Sequence, residues 1–239
     1  MPGFPGRQLR RLTDHYDSQS LASHFRGKRF AAFTALFNQL SGPVRVLDVG
    51  GDEKFWDVRL GKENRLQLTL LNLLTSPAKD ARYRIVAGDA RFMPFQAGMF
   101  DVVFSNSVIE HLGSFENQKK MADEIRRVGK RYFIQTPSKW FPLEPHFLFP
   151  GFQFLPFSWR VWIASHYAAG WYCHPGDASA ARKEVESIRL LTKKECARLF
   201  AGSTILVERL FGLPKSYLIL GGWVTVTRKD ADKHGRPLT

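Results

Sequence analysis

Two short stretches of this 239-residue chain hold side chains able to do chemistry. In "SVIEHL", Glu110 precedes His111, an imidazole whose ordinary pKa lies near neutrality and suits it to take a proton from a reacting group. The same placement suits a packed histidine at a helix start, with Glu110 as a first-turn carboxylate favoured by the helix dipole, and the sequence leaves both open. Downstream, "LEPH" repeats the pairing of carboxylate and imidazole with Glu144 and His146. The second stretch is "VRVLDVGGDEKFW", Val44 to Trp56, where an apolar run reaches Asp48, passes Gly50 and Gly51, and enters Asp52, Glu53 and Lys54.

Elements able to position these groups are legible around them. Phe30, Phe33, Leu36, Phe37 and Leu40 recur at three and four, which predicts a helix ended by Ser41 and Gly42. Strand-like runs follow at "VRVLDV", "LQLTLLNL", "YRIVAG", "FDVVFSN" and "KRYFIQT", then at "STILVERLF" and "SYLILGGWVTVTR". Helix-compatible segments are expected between the earlier strands, notably "SFENQKKMADEIRRVG", with "TKKECARLF" later. The first five runs are continuously apolar, as in parallel strands covered on both faces. The last two are separated by only "GLPK", a length that allows an antiparallel hairpin and forbids a parallel crossover. The fold class is therefore α/β: a Rossmann-like, doubly wound, mostly parallel seven-stranded sheet with a terminal antiparallel hairpin.

A glycine turn after the first strand of such a sheet faces a ligand beyond the strand ends. The dinucleotide pattern GxGxxG is incomplete here, because Asp52, Glu53 and Lys54 follow Gly50 and Gly51, and acids at the mouth would repel a pyrophosphate. A ligand with a positive end reverses that sign. S-adenosylmethionine (SAM) carries an ammonium and a sulfonium and no phosphate.

"VLDVGG" and "AGDARFMPFQAGMFDVVFSNSVIEHL", in this order and strand spacing, resemble the class I SAM-dependent methyltransferases, most closely their small-molecule and quinone-type branch. The resemblance covers about residues 44–136, and the closing strands loosely. It implies that Asp48, with the backbone at Gly50 and Gly51, faces the methionine part of SAM. Asn72 stands where the family usually has an acid for the ribose hydroxyls; Gly88, Asp89 and Ala90 match the adenine loop; Ser105 and Asn106 match the strand end facing methionine and acceptor. Asp52 and Lys54 depart from the family's glycines. Some relatives bind a divalent ion through an ExxEH set and a later histidine. Here Ser107 replaces the first glutamate, so the set is incomplete and no metal is assigned, although Glu110, His111, Glu144 and His146 remain. Methyl transfer from a sulfonium is an in-line displacement that depends mainly on alignment and dryness, with a base needed only for a protonated acceptor; His111 is the candidate.

Residues 140–173 hold twelve aromatic side chains, repeated prolines and only two charged groups, Glu144 and Arg160. Prolines preclude one long helix, so the segment within about 138–185 is expected to be a buried insertion or an interfacial lid. Trp140, Phe141, Phe147, Phe149, Phe152 and Phe154 are its candidate acceptor wall, with Glu110, Glu144 and His146 beside them. An apolar, ring-bearing, lipid-linked or glycan-linked small acceptor fits, or docking on an anionic membrane.

Length and a 44% apolar composition allow one domain over 19–239 behind a basic arm at 1–18. Neither a membrane span nor a secretory leader is expected, which places the protein in the cytoplasm or peripherally at the inner membrane surface. Cys173 and Cys196 lack metal or redox spacing and are expected to pack. The net charge of +13 keeps a nucleic-acid methyltransferase in view, but "SNSV" lacks the NPPY-type grip on a base amine and no RNA-binding domain is appended. A SAM-fold module without turnover is the third class. Oligomeric state is not encoded in any pattern seen here.

Overall fold

A computed structural model describes residues 21–60, 65–74, 78, 80–167, 170 and 172–223. The basic arm at 1–18 and the basic tail lie outside the described residues. In chain order the elements are α1 (Leu21–Phe37), β1 (Val44–Val49), α2 (Glu53–Leu60), β2 (Leu66–Asn72), β3 (Tyr83–Ala87) and β4 (Val102–Asn106). A 3-10 turn (Ile109–Leu112), α3 (Phe115–Val128) and β5 (Tyr132–Pro137) follow. A second 3-10 turn (Phe152–Phe154), α4 (Phe157–His166), α5 (Ala178–Ser187), α6 (Lys193–Leu199), β6 (Thr204–Leu210) and β7 (Leu213–Gly221) complete the set.

The seven strands form one sheet in the order β3-β2-β1-β4-β5-β7-β6, with β1 to β5 parallel and β7 antiparallel to both neighbours. Alternation along the strands sends side chains to two separate cores. Val46, Val102, Phe104 and Phe133 meet Phe30, Phe33 and Phe37 of α1 on one face. Leu47, Val49, Val103 and Ile134 meet Met121, Ala122, Ile125 and Val128 of α3 on the other. The α3 helix is amphipathic and begins at Ser114, whose side chain accepts the Asn117 N–H. Cys196 is buried in this second core, as expected of a packing residue, and Cys173 is half-buried.

Three expectations are corrected. Residues 88–101 between β3 and β4 carry no helix, although helix-compatible segments are expected between the early strands; turns at Asp89–Phe92 and Gln96–Met99 close the connection instead. The hairpin is tighter than "GLPK": Phe211 and Gly212 both have positive φ, 51° and 78°, and form the turn alone. Pro214 then joins β7 opposite a bulge at Glu208/Arg209, where a missing N–H is tolerated. The aromatic insertion is neither wholly buried nor wholly a lid. Phe147, Phe152, Ile163, Ala164, Ala181 and Val185 make a third apolar cluster of their own, while Trp159 and Trp162 on α4 are 63% and 51% exposed. No helix among the described residues is long and apolar enough to cross a membrane.

Candidate active site

The carboxyl ends of β1, β2, β3 and β4 bring the glycine turn, Asn72, the 88–90 loop and Ser105–Asn106 to one edge of the sheet. Gly50 turns with φ +78°, and a Cβ there would lie 2.5 Å from Val108 Cγ2. A Cβ on Gly51 would lie 1.6 Å from Asp48 Oδ2, so this glycine is required by the carboxylate beneath it. Asp48 is 2% exposed and accepts the Trp56 indole N–H at 2.7 Å. Burial pushes its carboxyl up to about 7, the indole bond pulls it down, and Asp52 pushes it up further. Asp48 thus supports the turn from below, through α2. Asp52 is no obstacle either: its Oδ1 accepts the Phe55 N–H at 2.8 Å and caps α2, which explains an acid where the resembling family has glycine.

The other strand-end groups already have partners. Asn72 Nδ2 donates to the Gly51 carbonyl at 3.0 Å, tying the end of β2 to the turn. Gly88 packs closely on Leu71, and Ala90 is half-buried against the core. Asp89 is held by Arg91 through three side-chain bonds, two from Nε at 3.0 Å and one from Nη2 at 2.6 Å, which keeps its carboxyl below the usual range. Ser105 is fully buried and its hydroxyl donates to Val49 O at 3.2 Å. Asn106 Oδ1 accepts from Arg29 of α1 at 3.2 Å, and Arg29 also pairs with Glu208 of β6 at 2.8 Å. Nothing in the sequence distinguishes Arg29 from the other basic residues of that helix.

Just beyond β4 the structure gathers "SVIEHL" and "LEPH". Ser107 adopts φ 58°, and its hydroxyl donates to Gln135 Oε1 at 2.8 Å; the residue in place of the first glutamate fixes the backbone that delivers Glu110. Glu110 is fully buried, accepts the Thr136 hydroxyl at 3.0 Å through Oε2, and leaves Oε1 without a hydrogen-bond partner. Burial raises its carboxyl to about 7, although His146 and Thr136 act the other way. His111 lies edge-on to His146, with ring centres 4.8 Å apart. Burial, reinforced by His146, lowers the His111 imidazole to about 4, so it is neutral at physiological pH. Burial would lower His146 too, but the bond and charge of Glu144, with Glu110 behind, raise it. Glu144 Oε1 sits 2.7 Å from His146 Nδ1, and its Oε2 accepts the backbone N–H of His146 and Phe147, each at 2.7 Å. Tyr172, which no pattern marked, has its ring centre 5.7 Å from His111 and 5.5 Å from His146.

Ligand atoms of Glu110, His111 and His146 all lie within 4.8 Å of one another. Two imidazoles and one carboxylate are a donor set for a divalent transition ion, and the orphaned Oε1 atom of Glu110 fits one. Glu144 behind His146 repeats the arrangement that fixes the tautomer of a ligating histidine. Absence of the first glutamate therefore does not scatter the remaining groups.

The expected acceptor wall divides. Phe147 and Phe152 are buried and stack on each other at 4.1 Å inside the third cluster, while Trp140 and Phe154 stack at 5.8 Å and are 56% and 50% exposed. Phe141 bonds through its backbone to Ser138 and Gln153. The basic run on α3 is largely paired: Lys119 and Arg126 with Asp123, Arg127 with Glu124, and Lys130 with Asp101. These cations form no free stripe for phosphates.

Residues 63–132, less than a third of the chain, match the model of a family described as methyltransferase domain. No curated protein sequence matches the chain. Among solved structures, it is similar to phosphoethanolamine N-methyltransferase 2 of Haemonchus contortus in complex with SAM, at 17% identity and a TM-score of 0.49, covering 75% of this chain and 38% of that one. It is similar to a SAM-dependent methyltransferase of Methanosarcina mazei at 14% identity and a TM-score of 0.46, covering 78% and 95%. The N-terminal domain of EvdMO1 with SAH bound gives 13% identity and a TM-score of 0.49, covering 83% and 81%. The chain spans 45% and 38% of the length of two of the solved proteins it resembles. The family match spans β2 to β4 and reaches the start of β5, so within its mostly parallel, Rossmann-like seven-stranded sheet this chain is similar to a methyltransferase domain over residues 63–132.

Proposed function

We propose that the protein is an enzyme that transfers a methyl group from SAM to a small, fairly apolar or lipid- or glycan-linked acceptor. The observation that supports this most directly is the cluster of buried Glu110 and His146 with half-buried His111 one step beyond Ser105 and Asn106. SAM supplies an electrophilic methyl group on a sulfonium. Gly50 and Gly51 would lie against its methionine portion, Asn72 toward the ribose, and Asp89 with Ala90 toward the adenine. Arg29 holds Asn106 in place, so the end of β4 is presented rigidly to the two reactants. Neutral His111 is the group placed to accept a proton from an acceptor hydroxyl.

The same three side chains fit a divalent cation, which would polarise an acceptor oxygen when bound. Burial keeps His111 neutral, while Glu144 and Glu110 favour the protonated form of His146, so a cation would have to displace that proton to bind there. We read residues 19–239 as one domain with an acceptor-side insertion at 138–185. The exposed Trp159 and Trp162, with the net charge of +13, support peripheral contact with an anionic membrane surface on the cytoplasmic side. Calorimetric titration with SAM and with its demethylated product tests the reading: both are expected to bind. Binding of a nicotinamide dinucleotide in their place would refute it.

A further inference from the structure

A cavity of about 190 Å³ opens on the far side of Glu144, walled by Lys139, Gln153 and Arg160 and floored by apolar groups that include Phe147 and Phe152. Its charge balance is uneven. Glu144 is its only acid, and both oxygens of that acid are engaged by His146 and Phe147. Arg189 is paired with Glu195 and with Gln118, but Lys139 and Arg160 have no ion pair among the described residues. Arg160 Nε is also buried without any hydrogen-bond partner, and burial weighs against its charge more than the nearby Glu144 carboxylate supports it. Two half-buried cations line the cavity beside a single carboxylate that is already bonded to His146 and Phe147, an excess of positive charge that favours a further anion.

Gln153 narrows the choice of anion. Its Nε2 donates to the backbone carbonyls of Lys139 and Phe141, at 3.0 and 2.6 Å, which fixes the amide and leaves Oε1 as a buried acceptor with no donor. A fitting ligand must accept from Arg160 and Lys139 and also donate to Gln153. Sulfate and an ionised carboxylate have no hydrogen to give near neutral pH. Hydrogen phosphate has oxygens for both cations and keeps one P–OH for the amide near neutral pH. We propose that this cavity seats a hydrogen-phosphate ion, its oxygens accepting from Arg160 and Lys139 and its P–OH donating to Gln153. This binding site does not rest on the methyltransferase reading.

The test is calorimetry on the full chain with inorganic phosphate, sulfate and acetate, and separately with SAM. Phosphate is expected to bind at least about tenfold more tightly than sulfate or acetate, as expected for one buried hydrogen bond made or missed. Arg160→Gln and Lys139→Gln should each weaken phosphate about tenfold or more and leave SAM affinity unchanged. Lys139 is only half-buried, so its variant keeps the test open if Arg160→Gln fails to fold. Equal affinity for sulfate and phosphate, preference for acetate, or phosphate binding indifferent to both variants would overturn the assignment. SAM binding without phosphate binding overturns the cavity and spares the enzyme; phosphate binding without SAM binding does the reverse.

Discussion

Replacing Trp56 with phenylalanine tests the account of the glycine turn most sharply. The indole N–H reaches a fully buried carboxylate at 2.7 Å, and the indole itself packs among Phe30, Phe33, Phe55 and Phe104. Loss of ring volume costs about 1–2 kcal/mol at any pH, by analogy with other large-to-smaller core changes. The lost hydrogen bond costs about 1.5–3 kcal/mol while Asp48 is ionised and about 0.5–1.5 kcal/mol while it is protonated. Because the folded-state pKa of Asp48 is raised to about 7, the acid is mostly charged at pH 8.5 and mostly neutral at pH 5.5, two values chosen roughly 1.5 units either side of it. Trp56→Phe should therefore destabilise the protein by about 1–2 kcal/mol more at the higher pH. Urea unfolding at the two pH values measures this. In wild type the same raised pKa makes the folded state hold its proton more tightly than the unfolded chain. That stability is fully present below pH about 4 and is lost as pH rises through about 7, for a total of about 4 kcal/mol. Asp48→Asn should flatten this component and make the cost of Trp56→Phe independent of pH. Equal costs of Trp56→Phe at both pH values in the Asp48 background would refute the reasoning.

Gly51→Ala places a methyl on the Asp48 carboxylate; it should lower SAM affinity at least about tenfold and reduce thermal stability, read by calorimetry and melting. Adding Mn²⁺ or Zn²⁺ should raise the melting temperature of the wild-type protein, and the increment should vanish in His146→Ala and Glu110→Gln, because each removes one of three ligand groups. An increment that persists in both variants would place the ion elsewhere. The double change Trp159→Ala, Trp162→Ala should reduce flotation with anionic vesicles at low salt without altering SAM binding, since both side chains are exposed on α4.

The sheet was legible because its strands are apolar on both faces and bounded by turn residues; "VRVLDV" and "FDVVFSN" map directly onto β1 and β4. The 88–101 connection was not, because nothing in its composition separates a short crossover helix from a chain of turns packed by Met93 and Phe95. The roles of Asp52 and Ser107 were hidden for a related reason. A substitution that removes a family glycine or glutamate looks like a loss until a cap on Phe55 or a bond to Gln135 is seen. Within the candidate site, Glu110 and His111 announced themselves by adjacency, whereas their meeting with His146 depends on how residues 138–146 return over the end of β5. The split of the aromatic run into buried and exposed halves depends on tertiary contact alone, since Phe152 and Phe154 stand two positions apart with equal hydrophobicity and opposite burial.

The third apolar cluster has a consequence for how such a protein can change. Phe147, Phe152, Ile163 and Val185 cohere with one another and belong to neither sheet-facing core, so substitutions among them are expected to add independently to those beneath the glycine turn. The insertion proposed to face the acceptor can thus be reshaped for a new molecule while the strand ends proposed to hold the methyl donor keep their form.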